Sequence, residues 1–183
     1  TRADIELYHE KNVPLQTDES LLSQDYQTVC GAMTVDFKGE QKTLQQMGVY
    51  LLDPERSLRE ESWRAVNARR LQDKDRLEEI FNKMLALRTS IADNAACKDY
   101  REHMFRAYHR FDYTPDDCLS YHDTVEKLVI PVWRELVQRR TKEMSLDSLR
   151  PWDTAVDPLG RAALKPFSKS EELRSGAREI FNK

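Results

Sequence analysis

The sequence is short of the residues that break regular structure and of the runs that cross bilayers. Five glycines and seven prolines in 183 residues leave little room for a loop-rich or disordered chain. The glycines at 31, 39, 48, 160 and 176 are also too scattered to cradle a phosphate, so nucleotide binding has no support. The longest apolar stretches, such as Leu128 to Trp133, fall far below the roughly 20 residues that span a membrane. Three cysteines, Cys30, Cys97 and Cys118, are odd in number and form no CxxC pair. They read as reduced, structural thiols of a cytoplasmic protein rather than a disulfide framework. Charge of one sign is lacking too: 29 basic and 32 acidic residues, interspersed, give a net charge of -3 and no broad field for nucleic acid or anionic lipid. No charged start followed by an apolar run marks a secretory leader, although a chain opening on Thr1 is expected to be a piece of something longer.

A local metal site is missing as well. A zinc peptidase helix needs two histidines four residues apart with a glutamate after the first. His9-Glu10 begins that pattern, but Val13 stands where the second histidine belongs. His103 and His109 are six apart, about 240° around a helix, and His122 is alone. Asp116 and Asp117 are explained by a helix start, where acids complement the macrodipole. No cysteine carries a recognisable nucleophile signature, so the chain is expected to have no catalytic residue, no metal ligand and no cofactor of its own.

What remains is a helix-rich pattern, 39% hydrophobic and 33% charged. Glu19 to Val29 reads as a short amphipathic helix following a loop at Pro14. Met33-Thr-Val35-Asp-Phe37, the turn Lys38-Gly39-Glu40 and Gln41 to Leu44 read as a β-hairpin that must lean on helices. Asp53-Pro54-Glu55 reads as the start of a helix to about Leu71, and Asp73 opens the next. There Leu77, Ile80, Phe81, Met84, Leu85, Ile91 and Ala92 form one apolar stripe. Thr114-Pro115-Asp116-Asp117 starts the longest helix, with Leu128, Val132, Trp133 and Leu136 on its stripe and Pro131 predicting a kink. Pro151, Pro158, Gly160 and Pro166 mark a long connector, and Ser168 with Glu171 fits a capping box for a last helix. The prediction is a mainly α fold: a multi-helix, bundle-like domain with one small hairpin (about Met33 to Leu44) and a kinked long helix (about Pro115 to Met144). Residues 1–150 form the helical domain, and 151–183 a connector and first helix leading on.

Three stretches read together carry a resemblance: Leu85 to Ala95 with its Arg88 and Asn94; Tyr100-Arg-Glu followed by Arg110-Phe-Asp-Tyr113-Thr-Pro115-Asp-Asp; and Leu149-Arg-Pro-Trp152-Asp153. The hairpin, the Asp53 to Trp63 segment with Arg56 and Arg59, and the Val129-Ile-Pro131 step agree in order and spacing. The chain resembles the M3 family of zinc oligoendopeptidases, of the oligoendopeptidase F type, from about Tyr8 to Lys183, in the region before the catalytic domain. The resemblance implies a mostly helical fold around a deep channel. It implies an oligopeptide substrate, a downstream catalytic domain, and a zinc held by an HExxH helix whose ligands have no counterpart here. This part would be a wall or lid of the channel.

Arg110, Tyr113, Arg150, Trp152 and Asp153 sit in loops at helix ends and are the candidates for substrate-channel or interdomain contact. Each also has a structural reading: Trp152 filling a core gap, Arg150 and Asp153 satisfying helix ends, Tyr113 a core aromatic whose hydroxyl finds a partner. A stand-alone helical interaction module on a peptidase-like scaffold is the alternative to the peptidase reading.

Overall fold

The computed structural model describes residues 1–161 and 166–182. It is mainly α, with helices α1 (Arg2–Leu7), α2 (Asn12–Gly31), α3 (Leu44–Met47), α4 (Arg56–Gln72), α5 (Lys74–Asn94), α6 (Tyr100–Ala107), α7 (Pro115–Thr124), α8 (Ile130–Glu143) and α9 (Ser170–Phe181). Strands β1 (Thr34–Phe37) and β2 (Glu40–Thr43) form an antiparallel hairpin in which Thr34 faces Thr43 and Phe37 faces Glu40. Its turn residues Lys38 and Gly39 both take positive φ, 54° and 81°, the twist that a two-residue hairpin loop requires.

Several starts differ from the sequence reading. α2 begins at Asn12 and runs through Pro14, because a proline in the first turn removes an amide that has no partner inside the helix anyway. α4 starts at Arg56, with the Glu55 carboxylate accepting the Ser57 amide at 3.2 Å, and Pro54 lies outside it. α9 is capped through Glu172, which accepts the Ser168 and Lys169 amides at 2.7 and 3.2 Å, not through Glu171. The start at Thr114 holds: its hydroxyl and the Asp117 carboxylate bond each other's backbone amides, with Pro115 at the first helical position. Proline at 131 leaves its mark upstream, where Val125–Val129 widen into a π-helical stretch and the Ile130 amide reaches back to the Val125 carbonyl.

The body rests on two packing sites. α2 lies along α5, pinned where Asn12 Nδ2 donates to the Ile91 carbonyl at 3.0 Å and Asn94 Nδ2 donates to Asn12 Oδ1 at 2.9 Å. Beside it Leu7 of α1 packs with Ala92, Ala95 and Cys97 under Tyr100 and Ala107. The hairpin buries Met33 and Phe37 with Met47 against α4, whose Ser62 hydroxyl donates to the Met47 carbonyl at 3.0 Å. Of the α5 stripe, Ile80, Ile91 and Ala92 are buried, but Phe81 and Leu85 face solvent. Leu128, Val129, Val132, Trp133 and Leu136 of the long arm made by α7, the π stretch and α8 are also exposed. The accessible surface is 14110 Å², whereas a self-contained protein of this mass shows about 9,200 Å².

Candidate functional site

Two groups form from the five candidate residues. Arg110 and Tyr113 meet around Phe105, near the end of α6. His109 there takes φ 53°, and the chain turns back so that the Arg110 amide donates to the Phe105 carbonyl at 2.9 Å. The Arg110 guanidinium lies over the Phe105 and Tyr108 rings at 5.5 and 5.0 Å, and Tyr113 meets Phe105 edge-on at 5.8 Å. Both side chains stay exposed.

Arg150, Trp152 and Asp153 belong to a different construction. Pro151–Asp153 form a single 3-10 turn seated on α4. The Asp153 carboxylate is 0% exposed and all its acceptor sites are used. Oδ1 accepts Arg56 Nε and Arg59 Nη2, both at 3.0 Å; Oδ2 accepts Arg56 Nη2 at 2.8 Å and the Arg150 amide at 3.0 Å. Burial alone would raise this pKa. The hydrogen bonds from Arg56, the Arg150 amide and Arg59 outweigh it and hold the group at about 2. With four N–H donors on two oxygens and no access to solvent, Asp153 has no lone pair left for a substrate proton or a metal.

Arg59 is bonded on every side, like its partner. At 3% exposure it also donates from Nε to the Trp152 carbonyl at 3.0 Å, and from Nη1 to the Asp53 and Pro54 carbonyls at 2.8 and 2.9 Å. The planar guanidinium, with five donors in a fixed fork, can serve four acceptors at once where an ammonium could not. From the other side Arg140 of α8 donates to the Asp153 carbonyl at 2.9 and 3.1 Å and to the Val156 carbonyl. The Trp152 ring lies 5.4 Å from Trp63, with the Arg64 guanidinium 5.1 Å above it.

Against this clasp lies a groove of about 600 Å³ between α8 and residues 149–158. Trp133, Leu136, Pro151 and Pro158 contribute apolar lining, and Arg139 and Arg150 line it as well. Sequence reasoning picked out Arg150 but passed over Arg140 and treated Arg56 and Arg59 only as part of a resemblance. Their one local signal is the three-residue spacing that puts Arg56 and Arg59 on the same side of α4.

The family model for peptidase family M3 matches residues 49–183, which include the whole clasp and groove. The chain belongs to peptidase family M3. Solved structures agree in fold. One assigned as an oligoendopeptidase F from Bacillus anthracis str. Ames is 23% identical with a TM-score of 0.89, covering 99% of this chain and 33% of that one. A second structure assigned as oligoendopeptidase F is 20% identical with a TM-score of 0.91, covering 99% and 32%. PZ peptidase A, solved with an inhibitor, is 21% identical with a TM-score of 0.92, again covering 99% and 32%. This M3 chain thus spans about a third of the length of these structures. Among curated proteins none matches it.

The zinc expected from the family resemblance finds no home among the described residues: no three His, Cys, Asp or Glu side chains gather so as to hold a metal ion. The histidines show why. His103 is buried and stacked on Tyr100 at 5.6 Å, His109 faces Asp4 of α1 and its cap residue Thr1, and His9 accepts the Lys11 amide. Nor is any helix among the described residues long and apolar enough to cross a membrane.

Proposed function

We propose that these residues form the amino-terminal, non-catalytic wall or lid of the channel in a zinc metalloendopeptidase that hydrolyses oligopeptides. The zinc and its general base are then supplied by polypeptide outside them. The observation that carries this reading is the M3 family match over residues 49–183 on a chain whose described residues assemble no metal ligands. The exposed apolar faces of α7, α8 and α9 support it, since a wall segment needs such faces to seat against the remainder of the fold. In this arrangement residues 1–150, with the Pro151–Asp153 turn anchored on α4, make the wall, and α9 leads toward the catalytic domain. Unpaired cysteines and balanced charge suit a cytoplasmic enzyme.

The test compares the full-length gene product with the 183-residue chain. Zinc content is measured by atomic absorption, and activity by cleavage of a quenched fluorescent oligopeptide. The full-length protein is expected to hold zinc and cleave, and the 183-residue chain to do neither. Stoichiometric zinc on the shorter chain, or a full-length protein that leaves oligopeptides intact, would overturn the reading. The second of these results would favour a non-catalytic interaction module instead.

A further inference from the structure

We infer that the Pro151–Asp153 turn is a pin in series between α4 and α8, and that Asp153 is a positioning residue setting the direction of the α7–α8 arm. The links follow one another in a line. The first is the pair of guanidiniums, Arg56 and Arg59, on the Asp153 carboxylate, with Arg59 also holding the Trp152 carbonyl. The second is the turn itself, closed by the Arg150 amide on Asp153 Oδ2 at 3.0 Å. The third is the Arg140 guanidinium of α8 on the Asp153 and Val156 carbonyls.

Within these residues packing does little to aim the arm, because Leu119, Leu128, Val129, Val132 and Trp133 along it remain exposed. With its α7 end tied to α6 through residues 108–114, where Tyr113 meets Phe105, its direction is settled at the other end, where Arg140 is held. A side chain and a main-chain carbonyl of one residue, Asp153, take up the two sides of that joint. The groove has α8 as one wall and residues 149–158, the turn among them, as the other, so its width depends on the Arg140 bonds that join the two.

Two natural thiols report on the joint: half-buried Cys30 lies on α2 of the body and half-buried Cys118 on α7 of the arm. In the 183-residue chain, with Cys97 replaced by serine, nitroxide labels on Cys30 and Cys118 give a body-to-arm distance distribution by electron double resonance. A narrow distribution is expected for the parent. Asp153→Asn turns one acceptor into a donor facing guanidinium or amide N–H groups, and Arg140→Met removes the third link. Each is expected to widen the distribution by about twofold, and the double variant no further, because links in series release the same motion whether broken singly or together. Should Asp153→Asn not fold, Arg140→Met against the parent reads the same joint. A width unchanged in Arg140→Met, a loss of thermal stability in Asp153→Asn without widening, or effects that add in the double variant would each overturn the inference.

Discussion

Replacing Arg59 by methionine keeps the apolar stem of the side chain and removes every donor at its end. The Asp153 carboxylate then loses one of four hydrogen bonds but keeps Arg56 and the Arg150 amide, so its charge is not stranded. The carbonyls of Trp152, Asp53 and Pro54 lose a partner as well. Breaking a buried pair from one side costs about 3–5 kcal/mol, and each buried acceptor left unmatched about 1–3 kcal/mol. Since Asp153 retains partners and the 53–54 carbonyls are only partly buried, the expected loss is about 3–5 kcal/mol in all, out of a typical 5–15 kcal/mol. Urea unfolding of the 183-residue chain, followed by fluorescence of Trp63 and Trp152 whose rings sit 5.4 Å apart, reads the change directly. Arg59→Lys should recover little, because three donors on a point charge cannot reach four acceptors in a fork. A loss below about 1 kcal/mol for Arg59→Met would refute the view that this guanidinium holds the turn to α4.

Burial within one stripe predicts unequal costs: Ile91→Ala, at a buried site, should lose about 2–5 kcal/mol, while Phe81→Ala, 61% exposed on the same helix, should stay within about 0.5 kcal/mol; urea midpoints of the 183-residue chain check both. Acid titration supplies a second contrast. Asp153 is held at about 2 against an ordinary 3.8. Its contribution is therefore complete above the ordinary value and lost as pH falls through about 2, so the melting temperature should drop over that window in the parent and drop less in Asp153→Asn. Burial, and less strongly Arg106, push the His103 pKa below its ordinary 6.5 despite the opposing carboxylate of Glu19. The unfolded chain then takes up a proton first, and stability should decline as pH falls below 6.5, a slope that His103→Gln removes.

Local chemistry was legible in the sequence wherever one short segment decides the outcome. Thr114 with Asp117 caps a helix, and Lys38-Gly39 closes a hairpin, because capping groups and positive-φ turns involve neighbours three residues apart or fewer. Pro14 misled by position, since a proline reads as a breaker when it sits in fact in the first turn. The apolar stripes were found but not their fate: periodicity names a face without saying what covers it, and Phe81, Leu85 and Trp133 lie on such faces in solvent. The clasp was out of reach for another reason. Arg56 and Arg59 stand 97 and 94 residues from Asp153, and no pattern along the chain pairs groups so far apart.

The surplus of surface and the clasp are two sides of one problem. With 14110 Å² exposed, against about 9,200 Å² for a compact protein of this mass, the hydrophobic effect within these residues alone is too small to dictate where each helix points. α9 shows the consequence, carrying Ile180 and Phe181 at 72% and 89% exposure. Shape must then come from directional bonds at a few joints, and those are where the buried polar groups gather: Asn12 between Ile91 and Asn94, Ser62 on Met47, and Arg59 with Asp153. Each of these polar groups is costly to bury unless fully paired, and apart from the Nδ1 of His103 and the indole N–H of Trp152 the buried side-chain polar atoms among the described residues find partners. Broad apolar faces left in solvent make that economy necessary, because hydrogen bonds fix angles while apolar contact fixes only area.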